Sequence, residues 1–258
     1  MRIIINPRYD FCKDSIIDIC NPSKFFNNGK VLQTGRNTIK LFEIDGVRLV
    51  VKSYEHLTLF NRLVYGTLRK SKAERAYLHA VRLQKLGIGT PEEIAFAEIR
   101  RYGLLRSCYF VSLYSDYQSL SSTTIDCMPN DERYAFLDAL AKFLFKIHWA
   151  GVLHKDLNMG NILYSDKCNT IEGFDFQVVD TNRMVFHSLL SMHQRIQNLR
   201  RLSCSIPSFL YILKRYATMA GIDPESMQLN GVFARLIFGY RQSRKRMIKA
   251  ILHPLNIL

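Results

Sequence analysis

Residues 154 to 161 read His-Lys-Asp-Leu-Asn-Met-Gly-Asn, and the apolar pair Ile162-Leu163 follows at once. Asp and Asn favour turns on their own account, so His154-Lys155-Asp156 alone would mean no more than a polar turn after a helix. The whole string is more demanding. It places an amide five residues beyond a carboxylate on one short polar segment that must enter a strand immediately afterwards. Transfer of a phosphoryl group needs a carboxylate for the acceptor hydroxyl, oxygen ligands for Mg²⁺ and a cation on the nucleotide phosphates. On this segment Asp156 is the expected acceptor of the hydroxyl proton, and Asn161 an expected metal ligand.

The remaining parts lie on both sides of that segment. Asp180 ends the apolar run Gln177-Val178-Val179, where a second carboxylate for Mg²⁺ is expected. Asp175 is the alternative, less favoured because it precedes the run instead of ending it. Lys52 closes Val47-Arg48-Leu49-Val50-Val51 and suits the nucleotide phosphates; Glu74, in Lys72-Ala73-Glu74-Arg75, is expected to pair with it from the next helix. No G-x-G-x-x-G is present. Gly35, with Gly29 and the polar Thr34, Arg36 and Asn37, remains to close over phosphates through backbone N–H groups.

The local pattern sets these residues on elements. Thr38–Ile44 and Val47–Ser53 read as strands joined by an Asp45-Gly46 hairpin turn. Ser71 to Leu86 reads as a helix stopped by Gly87, with Ala73, Ala76, Tyr77, Ala80, Val81 and Leu83 recurring at helical spacing. Pro91–Glu98 and Leu104–Tyr114 read as two further strands around a polar Arg100–Gly103 link. Asn130 or Asp131 is placed to cap a helix running to Trp149 and ending at Gly151. Ile162–Tyr164 and Gln177–Val179 read as short strands. Helices are expected over Ser188–Arg201, Ser208–Ala220 and Gly231–Ile251. The sum is an α+β fold in one bilobal domain: a small antiparallel-sheet lobe with one helix, about residues 1–115, and a larger helical lobe, about 118–258.

With those residues in place, the chain resembles the Kdo/WaaP group of lipopolysaccharide kinases, relatives of protein kinases. The resemblance spans about residues 30 to 185. It rests on Lys52 in Arg-Leu-Val-Val-Lys, on Ser71-Lys-Ala-Glu-Arg-Ala-Tyr, on Leu86-Gly-Ile-Gly-Thr-Pro91, on His154 to Asn161, and on Val178-Val-Asp180. It implies an ATP-dependent kinase of an inner-core sugar hydroxyl. Asp156 would be its base, Asn161 and Asp180 would bind Mg²⁺, and Lys52 with Glu74 would position ATP. The chain departs from protein kinases at Asn158, at Lys155 and at Asp180-Thr181-Asn182, and it has no Ala-Pro-Glu segment after Asp180. Those departures turn the expectation away from peptide substrates.

Charge adds a partner class. The 258 residues carry 36 Lys and Arg against 22 Asp and Glu, and residues 183–258 hold 12 of the cations against Asp223 and Glu225 alone. An anionic partner is expected. Arg235, Arg241, Arg244, Lys245, Arg246 and Lys249 share a segment with Phe233, Leu236, Ile237, Phe238, Met247 and Ile248, which suits peripheral contact with an anionic membrane. No RNP, KH or zinc-finger signature occurs, so nucleic acid is not an expected partner. The six cysteines never form CxxC, and no signal peptide or spanning segment is read, so a cytoplasmic or inner-membrane-face location is expected. A soluble small-molecule kinase and a non-catalytic binding module are the alternatives.

Overall fold

The computed structural model describes residues 1–54, 69–166 and 173–252, so that Cys168 and the side chain of Lys249 fall outside what is described. The chain divides into two compact units, Met1–Tyr117 with Gln177–Met184, and Gln118–Phe176 with Val185–Leu258.

The first unit is built on six antiparallel strands: β1 (Arg2–Ile5), β2 (Lys30–Gln33), β3 (Thr38–Ile44), β4 (Val47–Ser53), β5 (Glu93–Arg101) and β6 (Leu104–Leu113). Their order is β1-β5-β6-β4-β3-β2. The β3–β4 hairpin turns at Asp45 and Gly46, both at positive φ, as a two-residue turn matching strand twist requires. Tyr102 and Gly103 do the same between β5 and β6. That turn needs only two residues, so Arg100 and Arg101, expected in a link, extend β5 and pair with Leu105 and Leu104.

Alternation along the strands gives the sheet two apolar faces. On one face Leu49, Val51, Ala95, Ala97, Tyr109 and Val111 pack with Ile16, Ile19 and Phe25. Those three come from α1 (Lys13–Ile19) and α2 (Pro22–Asn27), short helices absent from the sequence reading. For α2 the signal was Asn21-Pro22, where Asn21 accepts the Ser23 N–H as cap and Pro22 opens the helix; Asn6-Pro7 opens in the same way the 3-10 turn Pro7–Cys12 that leads into α1. The buried Lys40 ammonium closes the far end of α2, donating to the carbonyls of Phe25, Phe26 and Asn28 at 2.8, 2.8 and 3.0 Å.

On the other face Phe96, Leu105 and Cys108 meet Ala73 and Tyr77 of α3 (Lys72–Lys85). Ser71 caps this helix by accepting the Glu74 N–H, and Gly87, at φ 65°, follows its end.

The second unit carries β7 (Gln118–Ser119), α4 (Ser122–Asp126), α5 (Asn130–Trp149), β8 (Val152–His154) and β9 (Ile162–Ser165). The chain then runs through β10 (Asp175–Val178), a 3-10 turn at Thr181–Arg183 and β11 (Met184–Phe186). It finishes with α6 (Met192–Leu199), α7 (Ile206–Ala220) and α8 (Pro224–Leu252). The core lies where Phe136, Leu137, Leu140, Leu144 and Ile147 of α5 are buried together with Phe209, Ile212, Leu213 and Tyr216 of α7.

Several expected helix ends move for physical reasons. Pro129 occupies the cap position of α5 with no side-chain cap, so Asn130 and Asp131 already lie inside the helix. A capping box between Ser191 and Gln194 starts α6 later than Ser188. The last helix begins at Pro224, with Asp223 accepting the Ser226 N–H, and reads straight through Gly231. That glycine marks close packing and not a boundary, because a Cβ there would meet Leu213 Cδ1 at 2.3 Å.

A polar chain ties the core to the segment that follows α5. The buried Asn198 amide donates to the His154 carbonyl at 2.7 Å, which leaves its oxygen to accept from His148 Nε2 at 3.0 Å. His148 Nδ1 then accepts from the Tyr216 hydroxyl at 2.9 Å. Burial pushes the His148 imidazole down from 6.5 to about 4. Between those pH values the unfolded chain binds the extra proton, so the stabilisation is full above pH 6.5 and lost as pH falls through about 4. The expected loss is roughly 3 kcal/mol. Urea unfolding at pH 7 and pH 4 checks it: the drop should shrink by most of that amount in His148→Gln, and an equal drop in both chains would refute the assignment.

Candidate active site

The segment from His154 to Asn161 is wound around Asp156. The Asp156 N–H donates to His154 Nδ1 at 3.1 Å, and its carbonyl accepts from Asn161 Nδ2 at 2.8 Å and Asn158 Nδ2 at 3.1 Å. Leu157 and Met159 are buried beneath it. The sequence spacing thus has a local cause: the residues before and after Asp156 fix its backbone from both sides. Because Asn161 spends its NH₂ on that carbonyl, its amide oxygen is turned away and available to a ligand.

The Asp156 carboxylate accepts from Arg201 Nη1 at 3.0 Å, with both side chains about a third exposed. Sequence reasoning missed Arg201, which stands 45 residues away. Its only trace was the Arg200-Arg201 pair at the end of an amphipathic helix. Both guanidinium groups lie 5.0 Å from the centre of the Phe238 ring.

The other expected residues belong to the first unit. Lys52, on β4, places its ammonium 2.6 Å from Asp180 Oδ1, with side chains 15% and 19% exposed. Charges this close and this sheltered from water form a pair that phosphate oxygens and a cation can take over from opposite sides. Asp180 is a non-glycine residue in the left-handed region, φ 58° and ψ 45°, where Asp is tolerated at modest cost. The next two residues hold it there. Thr181 Oγ1 donates to the Ala76 carbonyl at 2.9 Å, its own carbonyl meets His79 Nδ1 at 2.7 Å, and Asn182 Nδ2 reaches Asp180 Oδ1 and the Tyr54 hydroxyl. Asp175 opens β10 as an exposed residue of the other unit.

One expected contact is not formed. Glu74 pairs with Arg2 at 3.2 Å and not with Lys52. Arg2 stands opposite Glu98 in the β1–β5 register, which brings its fork to both carboxylates, while Lys52 turns to Asp180. Gly35 lies exposed between β2 and β3 at φ 151°, with open space where a side chain would be.

A unit built on an antiparallel sheet and carrying Lys52 and Asp180, and a helical unit carrying Asp156 and Asn161, make this a protein of the kinase-like class. A solved structure described as WaaP in complex with acyl carrier protein has the same fold, at a TM-score of 0.63 and 16% identity over 95% of this chain and 99% of that one. No curated protein sequence matches the chain. The lipopolysaccharide kinase (Kdo/WaaP) family matches residues 43–219, more than half of the chain, and the chain belongs to that family. It is therefore an ATP-dependent phosphotransferase with an alcohol group as acceptor, a lipopolysaccharide kinase.

Proposed function

We propose that this kinase phosphorylates a sugar hydroxyl of the lipopolysaccharide inner core, on Kdo or a heptose, at the cytoplasmic face of the membrane. The observation that carries this reading is the Asp156 carboxylate, fixed from its backbone by His154 and Asn161 and from its side chain by Arg201. A carboxylate so oriented accepts the proton of an attacking hydroxyl. Lys52 binds the nucleotide phosphates, the turn at Gly35 offers them backbone N–H groups, and Glu74 steadies α3 through Arg2.

Mg²⁺ fits the donors present. Asp180 and Asn161 each offer a hard oxygen of the kind that Mg²⁺ prefers. That suits an ion that keeps its waters and leans on phosphate oxygens. When bound, it neutralises charge on the transferred phosphate.

The membrane face is supported by α8. Leu229, Phe233, Leu236 and Tyr240 are all exposed and recur every three or four residues, a single apolar stripe that the exposed Met247 continues two turns further on. Arg241, Arg244, Lys245 and Arg246 lie along the same helix. A second copy of the helix would bring like charges together, whereas anionic lipid attracts each cation by on the order of 1 kcal/mol. No helix among the described residues is long and apolar enough to cross a membrane, so the contact is peripheral.

Mass spectrometry of lipopolysaccharide from cells with and without the active chain tests the reading. One inner-core phosphate should disappear, and an unchanged lipid would overturn it. Sedimentation with anionic vesicles should be strong at low salt and weak at high salt. Indifference to vesicles would remove the membrane contact and favour a soluble acceptor.

A further inference from the structure

The second unit contains a pocket of about 480 Å³ between α6 and α8, whose lining includes His193, Arg200, Asn230, Phe233, Ile237 and Arg241. No carboxylate lines it. Arg200 is half-buried, and its Nε is cut off from solvent without a hydrogen-bond partner among the described residues. Burial, and then the charges of Arg201 and Arg241, weaken its hold on its proton. Half-burying the Arg200 guanidinium beside the like charges of Arg201 and Arg241 costs stability, and the cost is relieved when an anion enters.

The position of this pocket gives it meaning. Two guanidinium groups lie 5.0 Å from the centre of the Phe238 ring, that of Arg200, which lines the pocket, and that of Arg201, which holds the Asp156 carboxylate. An anion on Arg200 would thus sit beside the same aromatic ring as the group that grips Asp156. Beside the cations, His193 offers a hydrogen bond, while Phe233 and Ile237 offer an apolar wall of the kind that the faces of sugar rings pack on.

We propose that the Arg200–Arg241 pocket is the acceptor's acid-group subsite: it binds a carboxylate or phosphate of the sugar acceptor and so presents the acceptor hydroxyl to Asp156. This rests on the function proposed above and names the substrate chemistry that the site selects. Arg200 and Arg241 are specificity residues, not catalytic ones.

The test uses the whole chain with purified lipopolysaccharide as acceptor, and two small probes, glucuronate for the carboxylate and glucose 6-phosphate for the phosphate. Arg200→Gln and Arg241→Gln should each raise KM for the lipopolysaccharide at least tenfold, with KM for ATP and the melting temperature unchanged. Arg241 is exposed, so its substitution leaves folding intact even if that of Arg200 does not. One probe should compete with the acceptor for the wild-type chain and lose that competition in Arg241→Gln; which of them does so identifies the acid. Unaltered acceptor KM in both variants, or no competition by either probe, overturns the subsite and leaves the kinase reading standing. If the wild-type chain does not phosphorylate lipopolysaccharide at all, the proposed function fails first.

Discussion

Asp156→Ala is expected to lower phosphoryl transfer by about 10²- to 10⁴-fold, the usual contribution of a positioned acid–base group, while the chain still folds and binds ATP. Folding should survive because the structural work of residue 156 is done by its backbone. Its N–H and carbonyl hold His154, Asn158 and Asn161, and alanine keeps both. What is lost is a partly exposed ion pair with Arg201, of a kind worth about 0–1 kcal/mol. Single-turnover phosphorylation measured beside thermal unfolding separates the two effects. Wild-type turnover in the variant would take Asp156 out of the chemistry.

Lys52→Met is expected to reduce kcat/KM for ATP by about 10²- to 10³-fold, the cost of deleting one preorganised charge aimed at transferring phosphate. The substitution also strands the Asp180 carboxylate, which in the native chain faces the Lys52 ammonium at 2.6 Å, although the Asn182 amide continues to donate to it. The defect should appear in KM for ATP and leave KM for the lipopolysaccharide acceptor nearly unchanged. A variant with unaltered ATP kinetics would remove Lys52 from the nucleotide site.

What the sequence made legible was local. The β3–β4 hairpin is where Asp45-Gly46 puts it, and α3 lies between Ser71 and Gly87, because caps and turns are decided by neighbours a few residues apart. Lys52 and Asp180, 128 residues apart, do meet. The partners of Glu74 and Asp156 were not legible. Arg2 reaches Glu74 through the strand register of a β1 that sequence pattern did not reveal, and Arg201 reaches Asp156 from the end of α6. Such pairings follow from tertiary register, which no local window contains. The helices α1 and α2 are short, and the Asn-Pro signal before them does not fix a helix without the sheet face that buries it.

The segment Asp180-Thr181-Asn182 sets a limit on control. It contains no glycine, and four hydrogen bonds tie it to Ala76 and His79 of α3, to the Tyr54 hydroxyl, and across from Asn182 to Asp180 itself. The carboxylate itself is held by the Lys52 ammonium and the Asn182 amide, and the backbone beside it by the Thr181 hydrogen bonds, each worth about 0.5–1.5 kcal/mol. A kinase built this way has no inexpensive off-position at its second carboxylate.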